Sequence, residues 1–296
     1  MRFLKYIALT IIVLLAACQQ EHETKIYFDS SITDDLGNTF ELSEPPKRVV
    51  TLAPNLTEMI YALKQEDRLV GNTLYCNYPA EAENITKVGD MITLNYEILL
   101  SLKPDLVFIT IEGNTKETYN RLNELGIRVF VSNPRNYEDI KKTFRQFGKI
   151  FDVSVLADSL IQDWDKSLQS IEVVEQKKRR TVLFLASVTP IIAAGQNTFI
   201  NEYMKMCGLE NIVKDSSINY PVFSREEILK VDPDFIIYAS MTKLEESYLS
   251  DVYAEWKNLK AIKNNNVIYV DPDLFYRPGP RFVQAVKTLY TKINKP

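Results

Sequence analysis

The sequence predicts an α/β protein of two lobes, each built on a parallel-rich sheet, with one long rigid helix between them. Three observations carry this. The first is a pattern written twice. Residues 97–110 read Glu-Ile-Leu-Leu-Ser-Leu-Lys-Pro-Asp-Leu-Val-Phe-Ile-Thr, and residues 226–239 read Glu-Glu-Ile-Leu-Lys-Val-Asp-Pro-Asp-Phe-Ile-Ile-Tyr-Ala. Aligned on Pro104 and Pro233, each copy becomes a short helix, a Pro-Asp turn and a strand. Proline ends the helix because it disfavours α geometry in the residue before it. The unbroken apolar run that follows suits a strand covered on both faces, as in a parallel sheet. The second observation is that each copy has strand-like neighbours: residues 49–52 before and 129–131 after the first, residues 181–185 before and 267–270 after the second. Two distant copies need two sheets, each with its own helix cover. The third is nearly continuous helical periodicity over residues 137–176, interrupted at most briefly at Asp152-Val153-Ser154. A helix there joins the lobes stiffly, where a flexible joint would use Gly- or Ser-rich coil.

In chain order, Arg2 and Lys5 precede an apolar run over residues 6–17, too short for an ordinary membrane span. The run ends Leu15-Ala16-Ala17-Cys18. It resembles a bacterial lipobox, which implies cleavage before the cysteine and lipidation of Cys18; a plain secretory signal or an uncleaved anchor are the alternatives. One acyl chain anchors only marginally, and two or more make the anchor stable. Residues 1–17 are therefore expected to be a signal peptide and residues 18–25 a polar tether.

Residues 26–150 are assigned to the N-terminal lobe. A hairpin joins residues 26–28 to 39–42 through the Asp/Gly/Asn turn at 34–38. After the strand at 49–52, Asn55 is expected to cap a helix whose apolar face is Met59, Ile60 and Leu63. Such strand-to-helix turns are where α/β folds offer backbone N–H groups to ligands. A short strand at 69–71 leads to the loop Tyr75-Cys76-Asn77-Tyr78-Pro79, and the first repeat follows from Asn95. A helix over 115–125, stopped by Gly126, precedes the strand at 128–132. Residues 151–178 are assigned to the connecting helix and 179–296 to the C-terminal lobe. There a helix over 199–207 stops at Gly208, and Ser224 caps the second repeat with Glu227 at the capping-box position. A short helix is expected over 253–259, a proline-stiffened loop over 271–280, and a closing helix over 282–293.

The chemistry the chain lacks narrows its function. Its one histidine is His22, in the tether, so neither lobe can build a metal site on clustered imidazoles or a histidine-dependent triad. There is no G-x-G-x-x-G and no phosphate-binding loop, and no cluster of carboxylates stands out for acid/base work. These absences point away from an enzyme. A net charge of −4 gives no support for nucleic-acid binding. Besides Cys18, only Cys76 and Cys207 remain, one per lobe, and both read as buried thiols. What is left is a set of aromatic loops from both lobes: Tyr75, Tyr78, Tyr220, Phe223 and Tyr276, with Arg277 beside them. Loops at strand ends around an interlobe cleft form a binding site. Aromatic faces suit a large flat ligand, and an arginine suits its anionic groups.

Several of these residues carry a resemblance. Ala53-Pro54-Asn55-Leu56-Thr57-Glu58, residues 75–79, Leu102-Lys103-Pro104-Asp105-Leu106-Val107, Ser224-Arg225-Glu226 and Arg277-Pro278-Gly279-Pro280-Arg281 resemble the substrate-binding lipoproteins of bacterial ABC importers for metal chelates. The resemblance spans roughly residues 46–293 and is nearest to the cobalamin-binding branch. It implies the class III periplasmic-binding-protein fold, two Rossmann-like lobes on a rigid helix. The implied protein is a monomer in the cell envelope, lipid-anchored and facing the periplasm or exterior. It keeps no permanent cofactor and hands a cobalt corrinoid, or alternatively a ferric siderophore or haem, to a permease and its ATPase. It also implies that Glu97 and Glu226, one per lobe, dock on the permease, and that Met91 joins Asn55, Tyr75, Tyr78, Tyr220, Phe223, Tyr276 and Arg277 at the ligand. Met91, Tyr220 and Leu274 stand where characterised cobalamin binders carry tryptophan.

Overall fold

The structure is a computed structural model and describes residues 30–171, 180–215, 217–239 and 248–294. The expected signal peptide, Cys18, the tether and residues 26–28 lie outside the described residues.

Two mostly parallel sheets form the frame. The first contains β3 (Val49–Thr51), β4 (Leu69–Asn72), β5 (Leu106–Thr110) and β6 (Val129–Ser132) in the order β4-β3-β5-β6, all parallel. The second contains β7 (Arg180–Ser187), β8 (Ile192–Ala193), β9 (Leu209–Asn211), β10 (Phe235–Ala239) and β11 (Val267–Val270). Its order is β11-β10-β7, and the remaining edge of β7 is shared. β9 pairs in parallel with residues 180–182, and β8 pairs antiparallel with its later half. A hairpin pairs β1 (Ser30–Thr33) with β2 (Thr39–Leu42); its second strand is where it was expected, and its described first strand lies after the expected residues 26–28. It seats on β6, where Asp34 Oδ2 accepts the Val131 N–H at 3.2 Å and Asp35 N–H donates to the Val131 carbonyl.

The helices are α1 (Pro54–Ala62), α2 (Tyr96–Ser101), α3 (Lys116–Glu124), α4 (Tyr137–Ile150), α5 (Ser154–Gln169), α6 (Phe199–Met206), α7 (Arg225–Val231), α8 (Tyr248–Val252), α9 (Lys260–Lys263), α10 (Pro272–Phe275) and α11 (Phe282–Ile293). Where residues 271–280 were expected to be loop, α10 adds one turn. Asp271 caps it by accepting the Asp273 N–H at 2.9 Å, and Pro272 opens it with the backbone angle a first turn needs. Residues 254–258 form a 3-10 turn.

The repeat has a clear physical basis. In each copy the residue before proline is left-handed, Lys103 at φ 47° and Asp232 at φ 49°, which ends the helix and reverses the chain. The aspartate after each proline then pins the start of the neighbouring strand. Asp105 Oδ2 accepts the Lys47 and Arg48 N–H groups, both at 2.8 Å, and Asp234 Oδ2 accepts the Thr181 N–H at 2.8 Å. Side chains cap both repeat helices: Asn95 for α2, and Ser224 with Glu227 in a full capping box for α7.

The expected helix over 137–176 is not one straight rod. Asp152 at φ 58° ends α4, and α5 folds back along it. Phe144 meets Trp164 at 4.6 Å, and Tyr137 and Lys141 both reach Asp165. Gly148 permits this close crossing, because a Cβ there would stand 2.7 Å from the Ala157 Cβ.

Alternate residues of each strand separate two environments, as the pleat requires. Val107 and Ile109 of β5 enter an outer cluster of the first lobe, and Leu183 and Leu185 of β7 one of the second. The other faces, with Phe108, Phe130, Phe184 and Ile237, join a single apolar cluster that passes from sheet to sheet through α4, α5 and α11. Phe282 of α11 joins the two sides. It stacks on Tyr137 at 5.0 Å and on Tyr203 at 4.6 Å.

Candidate functional site

A cavity of about 520 Å³ lies between the lobes. Its walls come from the C-terminal ends of strands in both sheets, where parallel sheets bind ligands. Pro54 and Asn55 follow β3, Tyr75 follows β4, Thr110 and Glu112 stand at the end of β5, and Ala186 lies in β7. Phe199 and Ile200 open α6, and Pro272, Tyr276 and Arg277 follow β11.

Six of the eight expected ligand residues come together here: Asn55, Tyr75, Met91, Tyr220, Tyr276 and Arg277. Tyr75 is half exposed, and the Tyr276 hydroxyl is fixed by donating to the Ala186 carbonyl at 2.9 Å. Tyr78 does not line the cavity; its ring lies 4.0 Å from the Arg281 guanidinium. Phe223 does not line it either, because it packs against the outer cluster of the second lobe. Leu274 is 7% exposed and belongs to the shared core, so that position faces away from any ligand in the cavity.

Two expected roles change. Asn55 does not cap α1. The capping position is Ala53, Pro54 takes the first turn, and the buried Asn55 side chain instead donates across the cleft to the Pro278 carbonyl at 3.2 Å. Arg277 borders the cavity, but its guanidinium is already committed. It donates to Glu58 Oε1 at 3.1 Å, Asn77 Oδ1 at 2.9 Å, the Tyr75 carbonyl at 3.1 Å and Asp273 Oδ1 at 2.5 Å. Glu58, with its side chain 1% exposed, also accepts from Arg281 at 2.6 and 2.9 Å. Asn77 donates to Asp273 at 2.7 Å. Loops from the two lobes thus close one end of the cleft with a buried charge network. The Arg-Pro-Gly-Pro-Arg loop serves that network rather than an anionic ligand group.

The lobes also meet through a second polar contact at the cavity. Tyr220 of the second lobe donates to Glu112 Oε2 of the first at 3.4 Å, and Glu112 Oε1 pairs with Arg135. Burial pushes the Glu112 carboxyl up although Arg135 lies beside it. Burial, with Glu112 next in weight, pushes the Tyr220 phenol up as well. The loop carrying Glu112 is fixed by Asn114. Its side chain accepts the Thr110 N–H at 2.9 Å and donates to the Leu52 and Met91 carbonyls at 3.0 and 2.8 Å. Glu58, Glu112 and Asn114 were not singled out as site residues in the sequence. Glu58 alone had a signal, standing in the Ala-Pro-Asn-Leu-Thr-Glu run.

Glu97 and Glu226 occupy equivalent places, in the first turns of α2 and α7, and both are exposed. Cys76 and Cys207 are both buried; the Thr57 hydroxyl donates to Cys76 at 3.1 Å, and burial pushes the Cys207 thiol up to about 12. Among the described residues no group of three or more His, Cys, Asp or Glu side chains is arranged to hold a metal ion.

Residues 49–274 match the periplasmic binding protein family. The chain is 29% identical to the uncharacterized ABC transporter substrate-binding lipoprotein YvrC of Bacillus subtilis, over 95% of this chain and 93% of that protein. The fold is similar to that of the periplasmic vitamin B12 binding protein BtuF of Vibrio cholerae, with a TM-score of 0.69 and 27% identity over 84% of this chain and 97% of that one. It is also similar to the periplasmic heme-binding protein BhuT in complex with two hemes, with a TM-score of 0.73 and 25% identity over 83% and 97%.

Proposed function

The chain belongs to the periplasmic binding protein family, and on that premise we propose that it is the substrate-binding lipoprotein of a bacterial ABC importer. It captures a metal chelate between its lobes, a corrinoid such as cobalamin first, and delivers it to a permease driven by an ATPase. The observation that carries this reading is the interlobe cavity bordered by Tyr75, Tyr220 and Tyr276 from loops of both lobes. Aromatic faces and apolar walls suit a broad flat ligand. The likeness to a vitamin B12 binding protein and to a substrate-binding lipoprotein supports the same reading. Cys18 is the anchor, and the cargo is released to the permease rather than retained as a cofactor.

A ferric chelate, above all haem, is the second reading. It is favoured by the likeness to a heme-binding protein and by tyrosine hydroxyls at the cavity, since phenolate oxygen is a haem-iron ligand. Titrating the full chain in mild detergent with cyanocobalamin, hemin and a ferric hydroxamate, read by difference absorbance and calorimetry, decides between them. Saturable one-to-one binding of cyanocobalamin is expected. Binding of hemin or the hydroxamate alone selects the second reading, and binding of none overturns both.

A further inference from the structure

We propose that Glu112 is a specificity-determining residue of the interlobe cavity: its carboxylate accepts hydrogen bonds from amide N–H groups on a neutral chelate and turns away chelates that present carboxylates. The assignment rests on the reading of that cavity as a chelate site.

Glu112 has acceptor capacity left over. A carboxylate offers about four lone-pair sites. Oε1 faces Arg135 and Oε2 receives one long bond, 3.4 Å, from Tyr220. The remaining sites border a cavity that is also lined by the apolar Met91, Phe199, Ile200 and Pro272. The upward push on its carboxyl, which persists beside Arg135, fits a charge that its present partners compensate only partly. In such surroundings a donor brought by the ligand gains more than it would in water, and an approaching carboxylate is repelled more strongly.

The cavity also lacks a cation for an anionic ligand. Among its described lining residues Arg277 is the one basic side chain, and its guanidinium is held by Glu58, Asp273, Asn77 and the Tyr75 carbonyl. The cavity's two carboxylates, Glu112 and Asp273, would both face the carboxylates of such a ligand. Asn114 holds the backbone of the Glu112 loop to the residue after β3 and to the Met91 segment through three hydrogen bonds, which fixes the point from which the carboxylate reaches the cavity.

The test compares cyanocobalamin, which is rimmed by amides, with hemin, which carries two carboxylates. Both are titrated into the full chain in mild detergent near neutral pH. The wild type is expected to prefer cyanocobalamin. The near-isosteric Glu112→Gln leaves Arg135 without its counterion. It should weaken cyanocobalamin binding about tenfold, the effect of one charge-assisted hydrogen bond, and strengthen hemin binding. Arg135→Gln should do the opposite and widen the preference at a pH that keeps Glu112 ionised, because the carboxylate loses its neutralising partner. Melting curves verify that each variant is folded. A preference that stays constant across the three proteins overturns the assignment while leaving a chelate-binding protein. A wild type that prefers hemin does the same. A wild type that binds neither ligand overturns the underlying reading of the site and this assignment with it.

Discussion

Arg277 and Arg281 share the buried carboxylate of Glu58, so the joint between the lobes rests on an ion cluster shut away from water. An arginine among aromatic loops reads as a hand for an anion, yet Glu58 lies 219 residues away in sequence and no local pattern announces the pairing. Glu58 has its side chain 1% exposed, so removing one of its two arginines leaves a buried carboxylate short of counter-charge. Unpairing a buried ion costs about 3–5 kcal/mol, and the remaining Arg281 puts this case at the low end. Arg277→Met is therefore expected to lower unfolding stability by about 3 kcal/mol in urea. Unchanged stability combined with loss of binding to a carboxylate-bearing ligand would return Arg277 to the ligand. Asn55 teaches the same lesson. Its residue type fits a helix cap, but Pro54 moves the helix start back to Ala53 and frees the amide to cross the cleft.

At the level of elements, legibility followed length and periodicity. β5, β7 and β10 were readable because four or more consecutive apolar residues have few other homes in a soluble fold. The capping box at Ser224 and Glu227 was readable because it is local. β8 and β9, of two and three residues, are too short to show a period and exist because β7 leaves an edge to cover. The bend between α4 and α5 was only half visible: Asp152-Val153-Ser154 marked a break, but not that α5 folds back on α4. Gly148 sits at that crossing. In an isolated helix Gly148→Ala would gain about 1 kcal/mol from propensity. Here the new Cβ would stand 2.7 Å from the Ala157 Cβ, and overpacking of that kind costs about 1–3 kcal/mol. The clash should win, so Gly148→Ala is expected to lower the melting temperature. A higher one would mean that α4 and α5 separate easily.

Over the whole molecule, the internal repeat gave both the two-lobe plan and a pair of equivalent acidic residues. Glu97 and Glu226 each stand exposed in the first turn of a repeat helix. An exposed ion pair contributes about 0–1 kcal/mol, so two such contacts on a permease would set orientation and encounter rate rather than affinity. The double variant Glu97→Ala with Glu226→Ala is expected to bind its ligand as the wild type does and to support no uptake in cells. Normal uptake by that variant would end the docking assignment.

The apolar cluster that runs unbroken from one sheet to the other bears on how such a carrier reports its load. Swinging the halves apart would bring Phe282 out from between Tyr137 and Tyr203 and wet a face that is dry in the folded protein. We therefore expect the spacing between Glu97 and Glu226 to change little between a full and a vacant cleft. A transporter gauging that spacing could not tell a laden carrier from an idle one, and idle copies in excess would occupy its landing platform and slow import.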